Sequence, residues 1–244
     1  MNEVYEIKGQ LQKYGILIVG DHASNIIPAD VVLTLSSSQR ESHIAWDIGV
    51  AGVADILVKR HAFTAMLARV SRLVVDQNRY CDEDAVIPNV SDGITLHGNQ
   101  LTQAARTERL HKYYHPYHNA LTDLITKLSP TLLLSIHSFT PRLTSNPDEK
   151  RPWEIGVLYN QDDRAARIAI PEFEKAGLCV GDQLPYSGRL LNATMNRHGE
   201  GNNLPYLGIE MRQDLVADSA GQARFATLLA QACQKITEML GVAA

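Results

Sequence analysis

The sequence predicts a three-layer αβα domain on a mostly parallel or mixed sheet, and three observations lead there. Apolar runs of strand length recur along the 244 residues, stretches of helical spacing lie between them, and three runs end abruptly in polar residues. Those three are GILIVGDHASNIIP (15–28), TLLLSIHSFTP (131–141) and PYLGIEMRQDL (205–215). A continuous apolar run that ends in charge reads as a buried strand, and open α/β sheets collect ligands at the carboxyl ends of such strands.

Taken in chain order, strands are expected at 15–20, 63–75, 131–139, 153–159 and 206–211, with a weaker one at 178–183. Helices are expected at 46–60 (WDIGVAGVADILVKR), 101–128, 163–176 and 219–240, the last opening on Ser219 as a cap. Pro116 should disturb the second of these. Two polar stretches, 146–152 and 187–203, are too long for simple connectors and read as functional loops.

Composition narrows the function. An apolar content of 45% is ample for one core, so a single domain over 1–244 is expected. The formal net charge is −4 and Lys and Arg form no basic run, which argues against nucleic acid or an anionic membrane as partner and favours a small-molecule substrate. Three widely spaced cysteines, Cys81, Cys179 and Cys233, make neither a disulfide framework nor a cysteine zinc knuckle. No leader pattern and no run of about 18 apolar residues is visible, so the cytoplasm is the expected compartment.

The strand ends carry the chemistry. His22 follows ILIVGD, and His137 repeats that arrangement after LLLSI, with Ser135 and Ser138 beside it. Two imidazoles at one rim suit a catalytic zinc, which takes three protein ligands and leaves a position for water. Asp47, in HIAWDIGVAG, and His43, four positions before it, compete as the third ligand. Glu210 ends a strand, where a carboxylate can take a proton from water and pass it to a leaving amine. Arg79 and Arg212, each following an apolar run, offer planar forks for a substrate carboxylate, with Asp76 and Asn78 orienting nearby groups; an internal Arg79–Asp76 pair is the competing reading. His111, His115 and His118 share a helix that lacks the Glu of an HExxH motif and read as structural, His118 being the one expected to face the site. His198, in NRHGEGNN, is the candidate oxyanion donor.

The ordered set GDHASNIIP, HIAWDIG, SRLVVDQNR, PYH, SIHSFTP, GDQLPYSG and GIEMRQDL resembles the N-formylglutamate amidohydrolase family over about residues 15 to 220. The resemblance implies a phosphorylase/hydrolase-like α/β domain and zinc-assisted cleavage of N-formyl-L-glutamate to formate and L-glutamate, a step of histidine breakdown. A more distant likeness to zinc N-acetylmuramoyl-L-alanine amidases puts His22, Asp47 and His137 on one Zn2+ per chain with Glu210 beside it, which raises Asp47 above His43. Tyr186, in GDQLPYSG, joins Arg79, Arg212 and Asn78 as a substrate-binding residue. Where histidine-pathway deformylases have a PHSG-type first motif this chain has DHASN, the mark of a divergent branch. A peptidoglycan amidase and a non-catalytic binder of acidic ligands are the alternatives.

Overall fold

The apolar runs become strands, with a few boundaries set by local hydrogen bonding that hydropathy does not register. In the computed structural model, which describes residues 4–241, the strands are β1 (Tyr5–Lys8), β2 (Ile16–Gly20), β3 (Thr64–Ala68), β4 (Val90–Ser91), β5 (Ile94–Thr95), β6 (Leu132–Phe139), β7 (Ile155–Leu158), β8 (Val180–Asp182) and β9 (Tyr206–Arg212). Seven form one sheet in the order β1-β3-β2-β6-β9-β7-β8, and β4 with β5 makes a separate hairpin. Strands β3, β2, β6 and β9 are parallel; β1 and the β7–β8 pair run against them, so the sheet is mixed.

The helices are α1 (Ser37–Arg40), α2 (Val50–His61), α3 (Gln103–Arg109), α4 (His115–Leu128), α5 (Arg164–Lys175), α6 (Ala193–His198) and α7 (Ser219–Met239). The connection β2–α2–β3 steps one way along the sheet, whereas β3–α3–α4–β6 steps back past β2. Parallel crossovers are right-handed, so opposite steps put α2 and α4 on opposite faces. Helix α7 packs on both α2 and α5, which completes one layer. Covered on both sides and flanked by parallel neighbours, β6 is buried at all eight positions, as a central strand should be. The reversal of direction falls between β2 and β6, the kind of switch point where a crevice opens outside the strand ends.

Several boundaries differ from expectation. The strand expected over 63–75 stops at Ala68 because Ser71 turns the chain: its Oγ donates to the Ala45 carbonyl at 2.7 Å and its carbonyl accepts from Val74 N at 2.9 Å. Val70, Leu73, Val74 and Val75 are fully buried all the same, so an apolar run there marked core and not strand. Of the segment 101–128, residues 103–128 are helical but pass through a π turn, Leu110–Tyr114, just before Pro116. Proline lacks the N–H that the next helical turn would use, and the widened turn brings the chain past it. The last helix is capped by Asp218, whose carboxylate accepts from Gly221 N at 2.8 Å, and not by Ser219. The stretch 187–203 is less irregular than expected, since it holds α6 and a short turn at Glu200–Asn202. Among the described residues no helix is long and apolar enough to cross a membrane.

Candidate metal centre

The carboxyl ends of β2, β3 and β6 deliver three groups of polar residues to the crevice. Just past β2 come Asp21 and His22; the turn after β3 supplies Arg72, Asp76, Asn78 and Arg79; His137 lies near the end of β6. On β9, Glu210 sits directly opposite His137 in the parallel register. Asp47 enters from the loop before α2, where its N–H donates to the His22 carbonyl at 2.9 Å. The helix expected from 46 starts at Val50, so Asp47 belongs to a turn. Gly49 makes that turn with φ +87, and a Cβ there would strike the Val216 carbonyl.

These side chains converge, although His22 and His137 are 115 positions apart. Their Nδ1 atoms are 3.1 Å apart, and Asp47 Oδ2 is 2.8 Å from His137 Nδ1 and 3.3 Å from His22 Nδ1. All three residues are buried, and one potential ligand atom from each lies within 4.8 Å of the others.

The far sides of the rings fix what the near sides offer. His22 Nε2 is 2.7 Å from Asp76 Oδ1, a carboxylate oxygen that can only accept, so Nε2 carries hydrogen and Nδ1 keeps its lone pair for the centre. For His137, Nε2 faces Asp21 Oδ2 at 3.6 Å, too long for a normal hydrogen bond but near enough for attraction. Asp21 is itself held by the Tyr117 hydroxyl at 2.8 Å. Arg72 closes the ring: Nη2 donates to Asp76 Oδ2 at 2.8 Å and Nη1 to Asp47 Oδ1 at 3.4 Å. Each of these two carboxylates thus gives one oxygen to Arg72 and the other to a histidine.

Charge at the centre is out of balance in one direction. Four buried acids, Asp21, Asp47, Asp76 and Glu210, lie in or behind this centre, and Arg72 pairs with only two of them, Asp47 and Asp76. Burial alone would raise the carboxyl of Asp47, but the charge of His22 and a hydrogen bond from His137 outweigh it and hold that group well below the usual range. For Asp76, burial is outweighed by the Arg72 and His22 charges. Burial lowers His137, yet Asp21 and Asp47 drive it well above its ordinary value, so the centre draws in positive charge. Two imidazole lone pairs and a carboxylate oxygen meeting at about 3 Å fit a cation. Tetrahedral zinc, with bonds of about 2.0–2.1 Å to nitrogen, would separate two imidazole nitrogens by about 3.3 Å. The donor set and its outer carboxylates therefore suit that ion.

Glu210 differs from the other acids. Its Oε2, like Asp21 Oδ2, is buried with no hydrogen-bond partner among the described residues, but its carboxyl is shifted the other way. Burial, opposed by the His137 charge and reinforced by Asp47, pushes its carboxyl up to about 7. It shares with His22, Asp47 and His137 the lining of a cleft of about 290 Å³, together with Arg72, Asn78, Arg79 and Tyr186. Arg79 donates through Nη1 to the Asn78 carbonyl at 2.9 Å, and Asn78 Oδ1 accepts from Thr194 N at 3.0 Å, which ties this wall to α6. The Arg79–Asp76 pair weighed from the sequence gives way to the Arg72–Asp76 pair.

Three expectations are corrected. Arg212 is not among the cleft-lining residues; its guanidinium is held by Asp214 at 2.8 Å and the Pro152 carbonyl at 3.3 Å. His198, expected over the reacting carbonyl, is locked in α6 with its ring stacked on His118 and Nε2 2.9 Å from His118 Nδ1. His118 donates through Nε2 to the Gln77 carbonyl at 3.1 Å, so it too faces inward and away from the cleft. His43 does line the cleft, but it bonds Asp92 at 3.0 Å and takes no part in the ligand trio. Sequence reasoning passed over Arg72, whose signal was the four-residue spacing to Asp76 in SRLVVDQNR, and Asp21, which adjoins His22.

Comparison with known proteins bears on family and fold. A family model described as N-formylglutamate amidohydrolase matches residues 14–217. Among solved structures, an Agrobacterium tumefaciens gene product is similar at 30% identity and TM-score 0.91, covering 98% of this chain and 96% of that one. The N-formylglutamate amidohydrolase from Ralstonia eutropha JMP134 is similar at 18% identity and TM-score 0.69, over 97% of this chain and 98% of that one. The N-acetylmuramoyl-L-alanine amidase from Clostridium difficile 630 is a more distant match, at 12% identity and TM-score 0.45 over 93% and 98% of the two chains. No curated protein is similar at a significant level.

Proposed function

Because the chain belongs to the N-formylglutamate amidohydrolase family, we propose that it is a zinc-dependent hydrolase that cleaves the amide of a small N-acyl amino acid. N-formyl-L-glutamate, giving formate and L-glutamate, is the first substrate to assay. The observation that carries this reading is the convergence of His22, Asp47 and His137 beside the partnerless carboxyl oxygen of Glu210.

His22 Nδ1, His137 Nδ1 and Asp47 Oδ2 would hold the ion. An ion bound there would supply Lewis acidity and ease the loss of a proton from water. Asp76, bonded behind His22, would keep that ring in the tautomer that binds metal, Asp21 would favour the same tautomer of His137 by attraction across 3.6 Å, and Arg72 would keep Asp47 and Asp76 from turning away. Glu210 takes the proton of the attacking water as the new C–O bond forms, then returns it to the nitrogen as the C–N bond breaks. Arg79 grips the substrate carboxylate with the guanidinium nitrogens that its bond to the Asn78 carbonyl leaves available.

Metal analysis of the purified protein tests the first step, with about one zinc per chain expected. Chelation should abolish turnover of N-formyl amino acids and zinc should restore it. Glu210→Gln should keep the metal and lose turnover. Full activity in metal-free protein would sink the reading, and turnover of muropeptides in place of N-formyl amino acids would move the substrate class.

A further inference from the structure

Tyr186 brings to the cleft a hydroxyl whose hydrogen no described residue takes up. Tyr186 lines the cleft, and its oxygen accepts a hydrogen bond of 3.0 Å from Arg151 Nη1. A guanidinium only donates, so the phenolic hydrogen is not spent on Arg151. No other described residue hydrogen-bonds that hydroxyl.

Arg151 is built to hold the phenol in place. Its side chain is 3% exposed, Nε donates to Glu149 Oε1 at 2.7 Å, and Nη1 also reaches the Thr140 carbonyl at 3.4 Å. The guanidinium carbon lies 5.2 Å from the centre of the Tyr186 ring, so the same group fixes ring and hydroxyl together. The 146–152 loop thereby acquires a purpose. It carries Glu149 and Arg151 to the back of the cleft wall, in a segment with no helix or strand of its own.

We propose that Tyr186 donates its phenolic hydrogen bond to the carbonyl oxygen of the scissile amide as that oxygen gains charge, and that Arg151 is the positioning residue that aims it. This rests on the hydrolase reading above. When water oxygen bonds to the carbonyl carbon, the π electron pair moves to the carbonyl oxygen and Glu210 receives the water proton. Tyr186 keeps its own proton and shares it with the developing oxyanion. When the carbonyl reforms, the C–N bond breaks and the Glu210 proton goes to nitrogen, so protons and electrons balance. Burial, then the charge of Glu210, pushes the phenol above its ordinary value, which keeps it protonated as a donor. A donor fixed in advance is worth most at the oxygen where charge develops. Tyr186 thus takes the role that the sequence suggested for His198.

Steady-state kinetics of the zinc-loaded full-length protein on N-formyl amino acids test this. Tyr186→Phe removes only the hydroxyl and should lower kcat by about 10²-fold while KM stays within about threefold. Arg151→Met should follow the same kcat-only pattern, with Arg151→Lys recovering part of the loss. Adding Arg151→Met to Tyr186→Phe should cost little more, because both act through one contact. Undiminished kcat in Tyr186→Phe, or a change in KM alone, would overturn the donor role. Independent, multiplying losses in the double variant would overturn the positioning role. Absence of turnover by wild-type protein on every N-acyl amino acid would instead remove the hydrolase reading and this proposal with it.

Discussion

His22 Nε2 and Asp76 Oδ1 lie 2.7 Å apart, and this one bond decides which nitrogen of the ring faces the cleft. Asp76→Asn should therefore weaken zinc while leaving the fold in place. The Asn amide has one accepting oxygen, and both His22 and Arg72 present donors to that site, so one of them loses its partner. Outer partners of metal-binding histidines are worth about 10–100-fold in affinity. Competition against a chelator, read on wild-type and variant protein, checks this; an unchanged zinc dissociation constant would mean that Asp76 does not set the tautomer.

Arg72 answers two buried carboxylates at once, Asp47 and Asp76. Arg72→Met keeps much of the side-chain bulk but leaves both acids without their cation. Stranding a buried charge costs about 3–5 kcal/mol, and at 3 kcal/mol the unfolding midpoint of a chain this size falls by roughly 6–12 °C. Zinc should offset much of that, since it returns positive charge beside Asp47. The expected result is a large drop in Tm in chelated protein and a smaller one in the zinc-loaded form. Equal drops in both would argue that Arg72 contributes packing and little charge compensation.

The two arginines that the sequence treated alike should behave differently. Arg79 lines the cleft with most of its guanidinium unspent, whereas Arg212 is paired with Asp214 outside it. Arg79→Gln should raise KM at least about tenfold with kcat little changed, the sign of lost uniform binding. Arg212→Gln removes a pair whose Asp214 partner is exposed and should shift stability by under about 1 kcal/mol with kinetics unaltered. A KM effect from Arg212→Gln would place it at the substrate after all.

Much of this was legible because the centre is built from strand ends. The runs before Asp21, His137 and Glu210 are apolar but for Ser135, and burial of β2, β6 and β9 follows from that. What lay between the strands was harder. Hydropathy could not distinguish Leu73, Val74 and Val75 in a buried turn from the same residues in a strand, because the Ser71 hydrogen bonds that bend the chain leave no apolar signature. The same turn carries Arg72, which falls inside the expected 63–75 strand. The edge strand β1, YEIK, is only partly buried and carries no apolar run to announce it. His198 misled because polar, Gly-containing sequence reads as loop, while Asn78 and Thr194 pin that stretch into a short buried helix.

His118 and His198 supply a pH dependence that is separate from the metal. With His118 Nε2 donating to the Gln77 carbonyl, a neutral His118 accepts at Nδ1 from His198 Nε2, a pattern that two neutral rings satisfy. Burial, and then the neighbouring His198, depresses His118 to about 3; burial, and then the charge of Arg197, depresses His198 to about 4. Both values lie below the unfolded value near 6.5, so the unfolded chain binds more protons as acid is added. The pair's contribution to stability is complete above about pH 6.5 and is lost as pH falls towards 4 and then 3, at about 1.4 kcal/mol per pH unit for each excess proton taken up by the unfolded chain. Chelated protein should accordingly lose unfolding free energy between pH 6.5 and 4. His198→Gln can still donate to His118 Nδ1 but cannot titrate, so its denaturant-measured stability should fall less steeply across that window. Parallel slopes for variant and wild type would show that His198 is already protonated in the folded state.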